Sequence, residues 1–182
     1  VTGVQTCALP IYQIGTLHSH AFRTLGAPRI ANDHSQLANW NSFVEERGRQ
    51  HWKLSGGLSR DDFGHTEDGT VGDELFTEMD TCRARLVPKE SWPARLHDFA
   101  DTWEEWKERH YLKDFNDLLD LCLKDVAIAP GNPRFIFLDE AQDFSQLELA
   151  LARKWAQQAD QLVSAGDSDQ CLYMEIGRAS CR

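Results

Sequence analysis

The sequence predicts an α/β protein: a parallel sheet late in the chain, with a mainly helical insertion before it. Three stretches predict this. Phe135-Ile136-Phe137-Leu138 is a short apolar run following the turn residues Pro130, Gly131, Asn132 and Pro133, and reads as a buried parallel strand. Gln161-Leu162-Val163-Ser164-Ala165 is a second run of this kind. Between them Leu147, Leu151 and Trp155 recur every four residues, as on one face of a helix, and Ser145 with Glu148 three residues later forms a capping-box signature. Strand, helix and strand together make a βαβ unit. Upstream, Trp92, Leu96, Phe99, Trp103 and Trp106 step by four and three, the clearest helical stripe in the chain.

In chain order, Ile14 to Leu25 is expected to leave the end of a strand and enter a helix, with Thr16 or Ser19 available as its cap. Gly26 to Pro88 is polar and irregular. Within it, Asp33 to Arg47 reads as a helix with Leu37, Trp40, Phe43 and Val44 on one side, and Asp73 to Ala84 as a shorter one. His51 to Gly72 is rich in glycine and charge and reads as a mobile loop. Its Asp61, Asp62, His65, Glu67 and Asp68 are expected to be solvated side chains and not a metal site, since nothing in the pattern supplies supporting groups. Ser91 to His110 is the long helix, with Ser91 as cap and Pro93 in the first turn. Its tryptophans are expected in the core, although such a stripe could also stack bases. Asp114 caps a following helix containing Phe115, Leu118, Leu119 and Cys122.

The net charge is −10, which argues against strong nonspecific binding to nucleic acid by this chain alone. No Cys-x-x-Cys spacing exists, so neither a zinc site nor a disulfide framework is indicated. No apolar run is long enough to span a membrane. The expectation is a soluble protein of a reducing compartment.

The chemistry concentrates after the first apolar run. Asp139 and Glu140 stand at the strand's carboxyl end, where open α/β sheets place their ligands. The first acid can hold Mg²⁺, directly or through water, and the second can orient or deprotonate an attacking water.

Leu138-Asp139-Glu140-Ala141-Gln142-Asp143 resembles motif II of superfamily 1 DNA helicases of the UvrD/Rep type. Gly166-Asp167-Ser168-Asp169-Gln170, followed by Leu172-Tyr173, resembles their motif III, and Gly15-Thr16-Leu17-His18-Ser19-His20-Ala21-Phe22-Arg23 their motif Ib. The resemblance implies a partial RecA-like P-loop NTPase domain, formed by residues 12–26 and 113–174. Residues 27–112 would be a helical insertion similar to the 1B subdomain. It implies ATP and Mg²⁺ as cofactors and single-stranded and duplex DNA as partners, in a cytoplasmic, DNA-repair setting. By resemblance Asp139 binds Mg²⁺, Glu140 activates the hydrolytic water, Gln142 and Gln170 lie near the γ-phosphate, and Thr16, His18 and Tyr173 meet single-stranded DNA. The implied activity is ATP-driven 3′-to-5′ translocation and unwinding. The alternative is a regulatory or binding protein that kept the fold and lost turnover.

A P-loop requires a Gly-Lys pair, and this sequence has none. In the family that loop lies upstream of motif Ib, and the second RecA-like domain lies downstream of motif III. The two ends of the chain bear on this. Ala8-Leu9-Pro10-Ile11 can be encoded by GCTCTTCCGATC, whose reverse complement encodes Ile176-Gly177-Arg178-Ala179 with one leading base left over. Residues 1–11 and 175–182 therefore read as translated sequencing adapter, and the remainder as an internal fragment that would not hydrolyse ATP alone.

Overall fold

A computed structural model describes residues 14–56 and 69–166. The adapter-like ends, the candidate loop acids from Asp61 to Asp68, and Gln170 and Tyr173 lie outside the described residues.

Helix α1 (Leu17–Thr24) begins at Thr16, whose hydroxyl accepts from the Ser19 amide at 3.1 Å. Thr16 thus plays the capping role weighed for it. Strand β1 (Arg29–Ile30) follows, then α2 (His34–Glu46), capped by Asp33. Helix α3 (Val71–Ala84) starts in a capping box made by Thr70 and Asp73. Part of the expected loop is packed: Gln50–Trp52 forms a 3-10 turn, and Trp52 and Leu54 are buried. A Cβ on Gly72 would meet the Trp52 and Lys53 carbonyl oxygens at 2.5 and 2.4 Å, so only glycine lets this segment lie against α3.

Helix α4 (Ala94–His110) starts three residues later than Ser91, and Ser91 is not its cap. Pro93 forces Trp92 into an extended conformation (φ −73°, ψ 151°), which breaks continuity with Ser91. Pro93 itself occupies the N-cap position, and its carbonyl accepts from Leu96 N at 2.9 Å. Strand β2 (Leu112–Lys113) leads into α5 (Phe115–Asp125), whose first turn is closed by the Asp114/Asp117 capping box. Strand β3 (Phe135–Leu138), helix α6 (Gln146–Ala156) and strand β4 (Gln161–Ser164) form the βαβ unit.

Two parallel strand pairs occur among the described residues. β3 runs beside β4, with Phe135 opposite Gln161 and Leu138 opposite Ser164. β1 pairs with β2 through Arg29 opposite Leu112 and Ile30 opposite Lys113. The burial expected of β3 is not observed: Phe135 and Phe137 are 50% and 73% exposed. The pleat explains this, because Ile136 and Leu138 turn toward the helices while the alternate residues face away, with no layer over them among the described residues.

The apolar residues form two cores. One gathers α2, α3 and α4 around Trp40, whose ring lies 4.9, 5.4 and 5.6 Å from those of Trp103, Trp106 and Phe99. These tryptophans are core residues, and their indole N–H groups are satisfied: Trp40 donates to Trp52 O, Trp103 to Asp114 Oδ2 and Trp106 to Asn39 Oδ1. The other core joins Ala21 to Leu118, Leu119, Cys122, Leu147 and Leu151. The β1–β2 pair lies at the seam: Ala31 and Leu112 belong to the first core, whereas Ile30 packs on the second.

Candidate active site and nucleic-acid interface

Because β3 and β4 are parallel, both deliver their carboxyl ends to one edge. Ala165 N donates to Leu138 O at 2.8 Å and Ala141 N donates to Ala165 O at 3.0 Å, so the ladder continues past the strands and pins the turn between β3 and α6. Asp139 and Glu140 sit in that turn, both solvent-exposed. Asp139 Oδ1 accepts from Glu140 N at 3.1 Å. Glu140 is left-handed (φ 51°, ψ 39°). That conformation costs a non-glycine residue about 1–2 kcal/mol, and such strain is concentrated at functional sites. After it, Ala141–Asp143 forms a 3-10 turn with Asp143 N donating to Glu140 O at 2.9 Å. Gln142 Nε2 donates to Glu140 Oε2. Asp139, Glu140 and Gln142 are thus gathered in one turn.

Gly166, which opens the stretch resembling motif III, lies against that turn, a contact the sequence pattern does not show. A Cβ there would stand 2.3 Å from Gln142 Oε1 and 3.2 and 3.3 Å from the backbone nitrogens of Gln142 and Ala141. The amide tip can swing away; the backbone cannot. Gly166→Ala is expected to cost about 1–3 kcal/mol, in the range of an overpacked site. Gly56, with nothing within 4 Å of its would-be Cβ, is the control. Gly56→Ala is expected to change stability by less than about 1 kcal/mol. Equal urea midpoints for the two variants would show that the contact at Gly166 carries no cost.

Thr16 and His18 line a cleft of about 590 Å³ between α1, α3, α5 and the start of α6, to which Asp139, Glu140 and Gln142 do not contribute. His18 Nδ1 is 3.7 Å from Glu148 Oε1, and its ring meets that of Phe115 edge-on at 5.7 Å. Glu148 also accepts from Ser145 N and Oγ, both at 2.8 Å, completing the cap of α6. The helix that follows the acid turn is therefore the one His18 touches.

An exposed carboxylate at a strand end suits a hard divalent cation that keeps most of its waters, so Asp139 fits Mg²⁺. The triphosphate is different. It needs backbone amides and a lysine around it, and the chain has no Gly-Lys pair to supply them. Glu104, Asp114 and Asp117 form the metal-like acidic group found among the described residues, but the Lys107 ammonium bonds all three, at 2.9, 2.7 and 2.6 Å. The group's carboxylates are already engaged by a protein cation.

A Bacillus subtilis (strain 168) protein named "Putative ATP-dependent DNA helicase YjcD" is 23% identical over 94% of this chain. The chain spans 23% of that relative's length. No solved structure matches. The sequence model of the UvrD/REP helicase N-terminal domain matches residues 11–174, and the chain belongs to this family.

Proposed function

We propose that this chain is part of the first RecA-like domain of an ATP-dependent DNA helicase or translocase of 3′-to-5′ polarity. Residues 12–26 and 113–174 would form the RecA-like part and residues 27–112 a 1B-like insertion. The two separate cores, meeting at the β1–β2 pair, support that division. The observation that carries the functional reading is the parallel β3–β4 edge. It sets Asp139 and Glu140 side by side in a pinned turn, at the position where open α/β sheets bind ligands. The relative's printed name points the same way.

In this reading Asp139 holds Mg²⁺, whose charge would offset that of the nucleotide's phosphates. Glu140 accepts a proton from the attacking water, and its left-handed backbone fixes the direction of its carboxylate. Gln142, bonded to that carboxylate, holds it in place and would report nucleotide state, together with Gln170. Thr16, His18 and Tyr173 would meet single-stranded DNA, with duplex DNA, the second RecA-like domain and DNA-repair proteins as the wider partners.

The 182-residue chain alone is expected to show no ATP hydrolysis. Nothing in its sequence wraps the phosphates, and a cationic finger, worth roughly 10³–10⁵ in rate, would come from elsewhere. Its binding to single-stranded DNA is expected to be weak and lost with added salt, because the chain is acidic. DNA-stimulated phosphate release is the measurement. A signal from the purified chain that Asp139→Ala abolishes would show that the chain is catalytically complete, against this reading.

A further inference from the structure

Glu148 divides its carboxylate between two elements. Oε2 accepts from Ser145 N and Ser145 Oγ, both at 2.8 Å, and so closes the first turn of α6. Oε1 takes no part in that cap. It lies 3.7 Å from His18 Nδ1 on α1, too far for a hydrogen bond and close enough for an ion pair when the imidazole is charged. The Glu148 side chain is 17% exposed, so this contact is screened less than one between open surface charges. The cap alone does not require an acid, because glutamine also completes a capping box. What glutamate adds is a second oxygen and a negative charge, and these face His18.

The cap sits directly behind the acids. Asp143 N donates to Glu140 O at 2.9 Å, and Phe144 N reaches Ala141 O at 3.4 Å, at the outer limit of such a bond. Ser145 is the next residue. Leu147 and Leu151 are fully buried and hold α6 to its core. A change in the cap therefore falls on the turn, where the last bond is the longest, and not on the helix. On the other side, Ala21 seats α1 in the same core, so His18 moves as a side chain on a fixed backbone. A carboxylate is rigid and planar. Turning Oε1 toward a charged imidazole turns Oε2 away from Ser145 and relaxes its bonds there.

We propose that Glu148 is a positioning residue, carrying the state of His18 into the cap of α6 and through the cap into the turn that aims Glu140. A phosphate at His18 changes the position and charge of the ring that Oε1 faces. This regulation rests on the DNA- and ATP-using reading above, since both ends of the path take their ligands from it.

The test compares ATP hydrolysis with and without a saturating single-stranded oligonucleotide, in a full-length protein carrying this domain. Glu148→Gln keeps an acceptor for the cap and presents an amide N–H where His18 met a charge. The ratio of the two kcat values is expected to fall at least about 5-fold, the lower end of a coupling between sites, with KM for ATP unchanged. Cap damage alone would act differently. It would displace Asp139 together with Glu140, since one turn holds both, and would raise KM and lower the strand-free rate. In the 182-residue chain the substitution is expected to lower the thermal midpoint by no more than about 4 °C, the loss of one charge beside a helix N-terminus. A ratio equal to that of the unsubstituted protein overturns the role of Glu148 and leaves the helicase reading in place. So does a fall that the strand-free rate matches, a raised KM or a larger loss of midpoint, each of which reduces Glu148 to a cap. An unsubstituted protein that hydrolyses ATP and gains nothing from the strand removes the DNA reading, and this path with it.

Discussion

In a full-length protein carrying this domain, Glu140→Gln is expected to retain ATP binding and to lose hydrolysis by about 10²–10⁴-fold, the usual loss on removing a general base. The substitution is nearly isosteric. It leaves the left-handed turn, the strand register and Asp139 as they are, and Gln142 can still donate to the remaining side-chain oxygen. What it removes is the proton acceptor. Asp139→Ala acts on the other half of the site and is expected to weaken metal-dependent nucleotide binding, so the two variants should separate in KM and kcat. Near-normal turnover with Glu140→Gln would mean that another group takes the proton, and the role given to Glu140 would fall.

Much of this site was legible in the sequence because it is local. Asp139, Glu140 and Gln142 lie within four positions of one another, and a strand followed by a capped helix fixes the turn that holds them. The caps at Asp114 and Ser145 were legible for the same reason: each is a signature spanning four residues. What was not legible depends on contacts between distant residues. The two-residue strands β1 and β2 are too short to show a period, and they pair across about eighty positions. That Gly166 packs on the turn at Gln142 is not written in the motif it opens. Exposure of Phe135 and Phe137 was missed because an apolar run states that a strand is apolar, not which of its faces is covered. Ser91 was misassigned as a cap because Ser-x-Pro fits a helix start in either of two frames, and the residue before proline decides between them.

Lys107→Met is expected to destabilise the chain by about 3–5 kcal/mol, the cost of breaking a buried ion-pair network by removing one of its cations. Lys107 lies on α4 and is 1% exposed. Its ammonium bonds Asp114 Oδ2 and Asp117 Oδ2, and Arg83 from α3 bonds both of the same aspartates at 2.6 Å. The network therefore ties the Trp-rich core to the first turn of α5, which packs on the other core. Burial alone would raise the Asp114 pKa, but Arg83, Lys107 and the Trp103 N–H outweigh it and hold that carboxyl well below the usual range. A depressed folded-state pKa means stability that is present above the unfolded value, about 3.9, and lost as pH falls below it. Asp120 acts in the opposite sense, because burial raises its pKa and its protonation in acid favours the folded state. Asp114 is the more deeply buried and the more heavily paired, so the net expectation is loss of stability below about pH 4. Lys107→Met removes one of the two cations that depress Asp114, and its acid transition should move toward neutral pH. Urea unfolding of both proteins at neutral pH and through the acid range is the measurement. A midpoint shift worth less than about 1 kcal/mol, the value of an exposed pair, would mean that the network is solvated and does not clamp the seam.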